Sequence, residues 1–375
     1  MFIPDKEFLF LFGWSDFFEN QLQSFLSETL KVKPQVLFPA RVICEERNLY
    51  RVQVSMDQVL WASATGKMQF KAKTRSDYPA VGDWVLIEMP NSALDRALIH
   101  HVLERKTLIH RKQIGSGADP QILSTNVDYA FIATSLNADL NYRRIERYLA
   151  VVREAKVFPV ILLTKTDICL GDLDQVVKEV QKEFPDIPVQ ALSKNSFEKE
   201  EFLRAYFRKG TTSVFLGSSG VGKSTLVNFL IGQDVIKTQD IRESDEKGRH
   251  TTTSRNLYIS RYGGTIIDTP GMRELQLSDH AEGVRSQFSD IDDLIQNCRF
   301  RNCQHQTEPG CAVKDALEEG FLSEEKWGCF QKLQAEIRHG MRKQDRALAA
   351  QDRKVWKKLI IQARTDGRRK RGFKN

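Results

Sequence analysis

Gly217-Ser218-Ser219-Gly220-Val221-Gly222-Lys223-Ser224 is the stretch on which the reading of this 375-residue chain turns. It has the spacing G-x-x-x-x-G-K-[ST] of a phosphate-binding loop. Phosphate oxygens need several backbone N–H groups pointing inward, and glycines permit the turns that supply them. Lys223 is placed to reach the outer phosphates and Ser224 to ligate Mg²⁺, with Thr225 next in the same turn. The flanks agree with the motif. Ser213-Val214-Phe215-Leu216 reads as a buried strand, and the residues up to Ile231 read as a helix whose positive end faces the phosphates.

Working outward, strand and helix patterns alternate. Strands are expected at 127–133, 157–163, 189–192, 256–260 and 265–268, and helices at 141–156, 171–184 and 197–208. Such alternation means a mostly parallel sheet covered on both faces. Asp268-Thr269-Pro270-Gly271 ends one of these strands about 45 residues after the loop. Asp268 can hold Mg²⁺ through water, and Gly271 can offer its N–H to a γ-phosphate. Between them lies Gly248-Arg249-His250-Thr251-Thr252-Thr253, a polar stretch without helix or strand signal. A loop threonine that reaches Mg²⁺ only when the γ-phosphate is present orders a first switch, so Thr251 and Thr252 are the candidates.

Thr164-Lys165-Thr166-Asp167 follows the strand ending at Leu163. A carboxylate there can accept from both N1–H and N2–H₂ of guanine, donors that adenine lacks, and Lys165 can lie along the base. Ser193 sits after the next strand, where a loop would cover the guanine oxygen. This base-reading segment precedes the phosphate loop by about 50 residues, the reverse of the usual order. The same sheet can be built in rotated chain order if the original termini were close together. An ATP-using enzyme such as a kinase is disfavoured by this segment.

The remainder of the chain is legible in outline. Residues 1–34 show no pattern beyond an amphipathic stretch from about Phe17 to Leu30 and read as an extension. From 35 to 112 short alternating runs broken by turn residues suggest a small β-barrel. The oligonucleotide-binding (OB) type is one solution at this size, and periodicity alone does not separate it from others. Lys67, Lys71, Lys73 and Arg75 cluster there beside Trp61 and Phe70, a combination suited to RNA. The α/β segment spans 113–283 and a helical segment spans 284–340. Residues 341–375 carry 13 Lys or Arg against three Asp, so most of the net charge of +7 belongs to this tail, as expected of an arm for a polyanion. No apolar run approaches the ~20 residues a membrane helix needs, and Phe8–Phe12 follows Asp5 and Glu7, unlike a secretion signal. A cytoplasmic protein without membrane contact is the expectation.

Cys298, Cys303, His305 and Cys311 give C-x₄-C-x-H-x₅-C. Three thiolates and an imidazole on a short segment fit one closed, structural Zn²⁺ site per chain. Cys329, 18 residues on, is expected to pack on a helix instead. Arg299, Phe300 and Arg301 inside this knuckle suit RNA, a ring for stacking and guanidinium groups for phosphate.

The rotated order, together with GSSGVGKS, GRHTTT and DTPG, resembles the circularly permuted small ribosomal subunit biogenesis GTPases of the RsgA family. The resemblance covers roughly residues 36–340. It implies a multidomain protein with an N-terminal OB-type β-barrel, a central, circularly permuted α/β P-loop GTPase domain and a C-terminal helical zinc-binding module. It further implies a monomer that binds GTP and GDP, contacts the small ribosomal subunit and its rRNA, and acts late in that subunit's maturation. The subunit would stimulate hydrolysis, and hydrolysis would be coupled to release. Two departures from common GTPase patterns bear on the site. Thr164 stands where most GTPases carry Asn, and threonine cannot offer an amide to both guanine and the phosphate loop, so selectivity should rest on Asp167. Met272 follows Gly271 where Ras-like enzymes carry a water-positioning Gln. An apolar side chain cannot orient water, and His250, to which the family pattern also points, is the expected catalytic group.

Overall fold

Tyr129–Ser135 is buried along six of its seven positions, as a central strand flanked on both sides and covered on both faces must be. It belongs to a computed structural model that describes residues 6–29, 36–46, 49–92, 94–111, 121–136, 140–169, 171–194, 201–218, 220–233, 255–268, 288–301, 303–306, 308–324 and 326–335. The described residues up to Asp268 form one compact unit and those from Phe288 onward form a second.

In the first unit, strands β1 (Phe38–Glu46), β2 (Leu49–Gln53), β3 (Val59–Ala64), β4 (Trp84–Glu88) and β5 (Ala97–Val102) close on themselves in the order β1-β2-β3-β5-β4-β1. The pairing of β3 with β5 is parallel and the rest are antiparallel. This five-stranded Greek-key closure, with a short helix α1 (Gly66–Lys71) between β3 and β4, settles the barrel as OB-type. Its core is small and β-branched, around Val42, Val52, Val85, Ile87 and Ile99. A separate hairpin, β6 (Leu108–Arg111) with β7 (Gln121–Thr125), leads away from it.

The α/β portion adds β8 (Tyr129–Ser135), β9 (Phe158–Thr164), β10 (Val189–Leu192), β11 (Thr212–Leu216), β12 (Asn256–Ile259) and β13 (Thr265–Asp268), in spatial order β10-β9-β8-β11-β13-β12. All neighbours are parallel except β12 with β13. Helices Tyr142–Glu154, Leu173–Glu183, Glu201–Tyr206 and Lys223–Ile231 supply the crossovers. The first is capped by Asn141, whose side chain accepts from Arg144 N–H. The core sits around Phe131, Phe207 and Phe215, whose rings stack 5.1–5.9 Å apart. β12 also pairs with β1 at Cys44↔Asn256, so barrel and α/β sheet form one hydrogen-bonded sheet of 11 strands.

A buried arginine joins the two parts. Arg41, 1% exposed, leaves β1 and donates 3.3 Å bonds to the Asn126 carbonyl and to Thr212 Oγ1, with its guanidinium 5.2 Å from the Trp84 ring centre. Burial pushes its pKa down to about 10, against the opposing pull of Asp128 and Asp83, so it stays charged at neutral pH. Nearby, Arg105 grips the fully buried Asp83 through two bonds of 2.7 and 2.8 Å.

The N-terminal residues differ from the patternless extension expected of most of them. Asp16–Thr29 is helical, in keeping with the amphipathic stretch, but Lys6–Leu11 is a helix as well. Phe8, Trp14 and Phe18 surround Trp84 at centroid distances of 5.9, 4.8 and 6.2 Å. The Leu11 carbonyl accepts from Gly210 N–H in the α/β portion. Six residues are too few for a helical period to declare itself, and the apolar partner is remote in sequence. No helix among the described residues is long and apolar enough to cross a membrane.

Arg41→Ala should lower the unfolding free energy by about 3–5 kcal/mol, the cost of breaking a buried charged contact and leaving a void. Urea denaturation with paired fluorescence and circular dichroism measures this. A loss below ~1 kcal/mol would mean that the junction does not depend on the guanidinium.

Candidate nucleotide and metal sites

The phosphate loop is positioned by β11, buried at every residue, which delivers the chain to Gly217 at its carboxyl end. Gly217 has φ 144° and passes so close to β8 that a Cβ there would lie 2.4 Å from the Ala133 carbonyl oxygen. Only glycine satisfies both conditions. Val221 is buried, and Gly222, at φ 94°, caps the helix that opens with Lys223, Ser224 and Thr225. The Lys223 ammonium folds over the loop and donates to the Gly217 carbonyl at 2.8 Å and to that of Ser218. The Lys223 cation thus lies at the head of a helix, where it and the helix end could meet a phosphate together.

Strand register collects the other groups at the same sheet edge. β13 runs parallel to β11 with Val214 opposite Ile267, which sets Asp268 beside the loop's point of departure. β10 runs parallel to β9 with Leu192 opposite Thr164, which sets Ser193 beside the Thr164–Asp167 turn. Lys165 adopts φ 56°, a left-handed conformation that a lysine takes up only under local constraint, and Asp167 follows in an exposed single 3₁₀ turn.

The contact that Thr164 makes is what sequence reasoning did not reach. Its buried hydroxyl lies 2.6 Å from the Val221 carbonyl and 3.2 Å from that of Thr134, and the shorter contact takes its one proton. Threonine therefore ties the Thr164–Asp167 turn to the loop at 217–224 without the amide that asparagine would carry. A second contact of the same kind runs from Arg144 Nη1 to Ser218 Oγ at 3.1 Å. Neither leaves a local sequence signal, because each joins segments that meet only through the sheet order. Ser219, His250, Thr251, Thr252 and Gly271 lie outside the described residues.

In the barrel, Trp61 and Phe70 are 45% and 92% exposed. Arg75 is held by Glu45 and sits 5.5 Å from the Tyr78 ring centre, so it is less available to a ligand than the lysines beside it.

The second unit contains helix Ser289–Gln296, the cysteine knuckle, helix Ala312–Glu318 and a helical stretch at 326–335. The donor atoms of Cys298, Cys303, His305 and Cys311 all lie within 4.8 Å of one another. His305 Nδ1 is 3.6 Å from Cys298 Sγ and 3.4 Å from Cys311 Sγ, and those two sulfurs are 4.0 Å apart. Zn–S bonds of about 2.3 Å at tetrahedral angles put sulfurs about 3.8 Å apart, so the four residues could hold such an ion. Gly310, at φ 73°, gives the bend before Cys311, and the His305 ring meets Trp327 edge-on at 5.4 Å. Cys329 is buried and stands outside the cluster, as expected.

The family model described as RsgA GTPase matches residues 102–278. The chain is 42% identical over 329 residues to small ribosomal subunit biogenesis GTPase RsgA 1 of Oceanobacillus iheyensis, an alignment covering 88% of this chain and 93% of the relative. It is 43% identical to RsgA 2 of Vibrio parahaemolyticus, over 86% and 83% of the respective chains. Among solved structures it is similar to YjeQ from Thermotoga maritima (TM-score 0.57, 24% identity, 80% of this chain and 99% of that one). It is likewise similar to YloQ, described as a circularly permuted GTPase (TM-score 0.55, 25% identity, 81% and 96%).

Thr164→Val should weaken GTP binding by about 5- to 150-fold, because the Val221 carbonyl then loses its partner at a cost of about 1–3 kcal/mol. Thr164→Ser keeps the hydroxyl and should bind close to wild type. Titration with a fluorescent GTP analogue distinguishes the two; equal affinity in all three proteins would remove the tie from the binding account.

Proposed function

Because the chain belongs to the RsgA family of small ribosomal subunit biogenesis GTPases, we propose that GTP is held on Gly217–Thr225, read at Asp167, and hydrolysed with help from His250 when the small subunit is bound. The chain is a GTP hydrolase of small-subunit maturation. The observation that carries the finer assignment is the Thr164–Val221 hydrogen bond, which makes base turn and phosphate loop one constellation despite their inverted order.

Within this reading each group has a role. Loop N–H groups, including those of Ser218, Ser219 and Gly220, and the Lys223 ammonium balance the phosphate charge. Asp167 accepts from guanine N1–H and N2–H₂, Lys165 lies along the base, and Ser193 covers the guanine oxygen. Ser224, Asp268 and one of Thr251 or Thr252 provide oxygens for Mg²⁺, which when bound neutralises the phosphates. Gly271 N–H meets the γ-phosphate. His250 orients the attacking water, a task the apolar Met272 leaves open. The nucleotide thereby governs the segments around 248–253 and 268–273, and hydrolysis favours release from the subunit.

Cys298, Cys303, His305 and Cys311 hold one structural Zn²⁺, supported by the spacing of their donor atoms. With all four positions taken by protein, the ion stabilises the knuckle and does no chemistry. RNA contact is assigned to the exposed Trp61 and Phe70 with Lys67, Lys71 and Lys73, and to Phe300, 41% exposed beside Arg299. The basic residues of 341–375 add an electrostatic arm. The protein acts as a cytoplasmic monomer.

Hydrolysis measured with and without purified small subunits tests the function: turnover should rise on their addition. His250→Ala should lose that rise while its affinity for GTP stays nearly unchanged, and full stimulated turnover in the variant would reject the assignment. Elemental analysis should give one zinc per chain, falling toward zero in Cys298→Ser. A full zinc content in that variant would exclude the four-ligand site.

A further inference from the structure

A cleft of about 500 Å³ opens at the amino ends of β8 and β9. Its walls include Lys106, Asp128, Tyr129, Lys156, Phe158 and Tyr206. Phe158 begins β9 and Thr164 ends it, so at about 3.3 Å per residue the cleft lies some 20 Å from the base-reading turn. Parallel sheets bind their ordinary ligands at the carboxyl ends of the strands, where the phosphate loop is. The cleft is therefore a separate place on the molecule.

Three features make it more than a surface irregularity. The first is aromatic. Phe158 is 48% exposed and meets Tyr129 at 5.9 Å, and Tyr129 meets Tyr206 at 5.0 Å, both edge-on. Tyr129 and Tyr206 pack on the core, whereas Phe158 stands out from it at the start of an interior strand. The second is a strained cation. Lys156 has φ 57° immediately after the helix Tyr142–Glu154, a position that glycine fills without steric cost and lysine does not. The third is charge balance. Lys106 holds its ammonium 5.0 Å from the Phe18 ring centre, while the Asp128 carboxylate accepts Thr212 N–H at 2.8 Å and is offset by Arg41, then by Lys106 itself and by Arg208. The two lysines thus leave the walls positive.

We propose that this cleft binds a single-stranded nucleotide of the small subunit's RNA, with the base stacked on Phe158 and edged by Tyr129 and the phosphates met by Lys156 and Lys106. Flat rings flanked by cations are how proteins hold unpaired bases, and the volume falls in the ~300–1,000 Å³ range of ligand clefts. An acidic protein tail would meet the lysines equally well but has no π face for the rings. The proposal rests on the family reading for its partner and adds a contact distant from the GTP site.

The test uses the full chain, purified small subunits and a non-hydrolysable GTP analogue. Phe158→Leu keeps apolar bulk and removes the ring; it should bind subunits about tenfold more weakly. Lys156→Gly removes the charge and relieves the backbone, so it should resist urea better than wild type and yet bind subunits more weakly. A purely structural role predicts the first effect without the second. Both variants should keep the wild-type rate of GTP hydrolysis in the absence of subunits. A photoreactive benzoylphenylalanine at position 158 should cross-link to rRNA. Unchanged affinity in both variants overturns the proposal, as does a cross-link to ribosomal protein alone. Weakening in Lys156→Gly but not in Phe158→Leu points to an acidic protein segment and overturns it too. If the wild-type chain itself fails to bind small subunits, the family-based partner is wrong as well.

Discussion

One buried cation, Arg41, sits at the junction between barrel and α/β sheet, beside the β1–β12 pairing. Arg41 could have been an apolar residue if its only task were to fill space, since charge burial costs more than it returns unless partners are exact in placement. Its partners, the Asn126 carbonyl and Thr212 Oγ1, lie in the turn that leads from β7 into β8 and at the start of β11. Strands β8 and β11 run side by side and deliver the chain to the nucleotide site at their far ends. Both acceptors are reached from one nitrogen, Nη2, and the buried Nε has no hydrogen-bond partner among the described residues, so barrel and sheet are coupled here through a single donor group. Trp84 closes the other side, and three N-terminal aromatic rings close around Trp84 in turn. Trp84 thus ties the helices of residues 6–29 to the place where Arg41 sits.

The nucleotide site shows how chain order and spatial order can part company. The turn Thr164–Asp167 precedes the phosphate loop in sequence, yet β9, β8 and β11 are neighbours in the sheet. The hydroxyl of Thr164 spans the gap to Val221. What a nucleotide requires is the edge of a sheet presenting glycine turns, a lysine and carboxylates together, and that edge is indifferent to where the chain begins. The close passage of Gly217 over Ala133 is the local condition that keeps the loop flat against β8.

Much of this was legible in the sequence, for a physical reason. Phosphate loop, DTPG strand end and cysteine knuckle are each contiguous, so their chemistry is written in spacing. The strand 265–268 was readable because a short apolar run with polar ends marks a buried strand. The barrel was readable as a barrel, but its type depended on the parallel β3–β5 pairing, which alternation does not encode. Thr164–Val221, Arg144–Ser218 and the role of Arg41 were invisible because each joins residues dozens of positions apart. The helix Lys6–Leu11 escaped because its apolar face has meaning only against Trp84.

Asn256 occupies an unusual place in the ladder. It pairs with Asp268 across β13 and with Cys44 across β1, so it is clamped from both sides at the point where the chain emerges from residues 251–254. A clamp of this kind is a fulcrum. Strand β1 also carries Arg41. Cys44, which pairs with Asn256, and Arg41, which reaches Asn126 and Thr212, thus stand on one strand of the barrel wall.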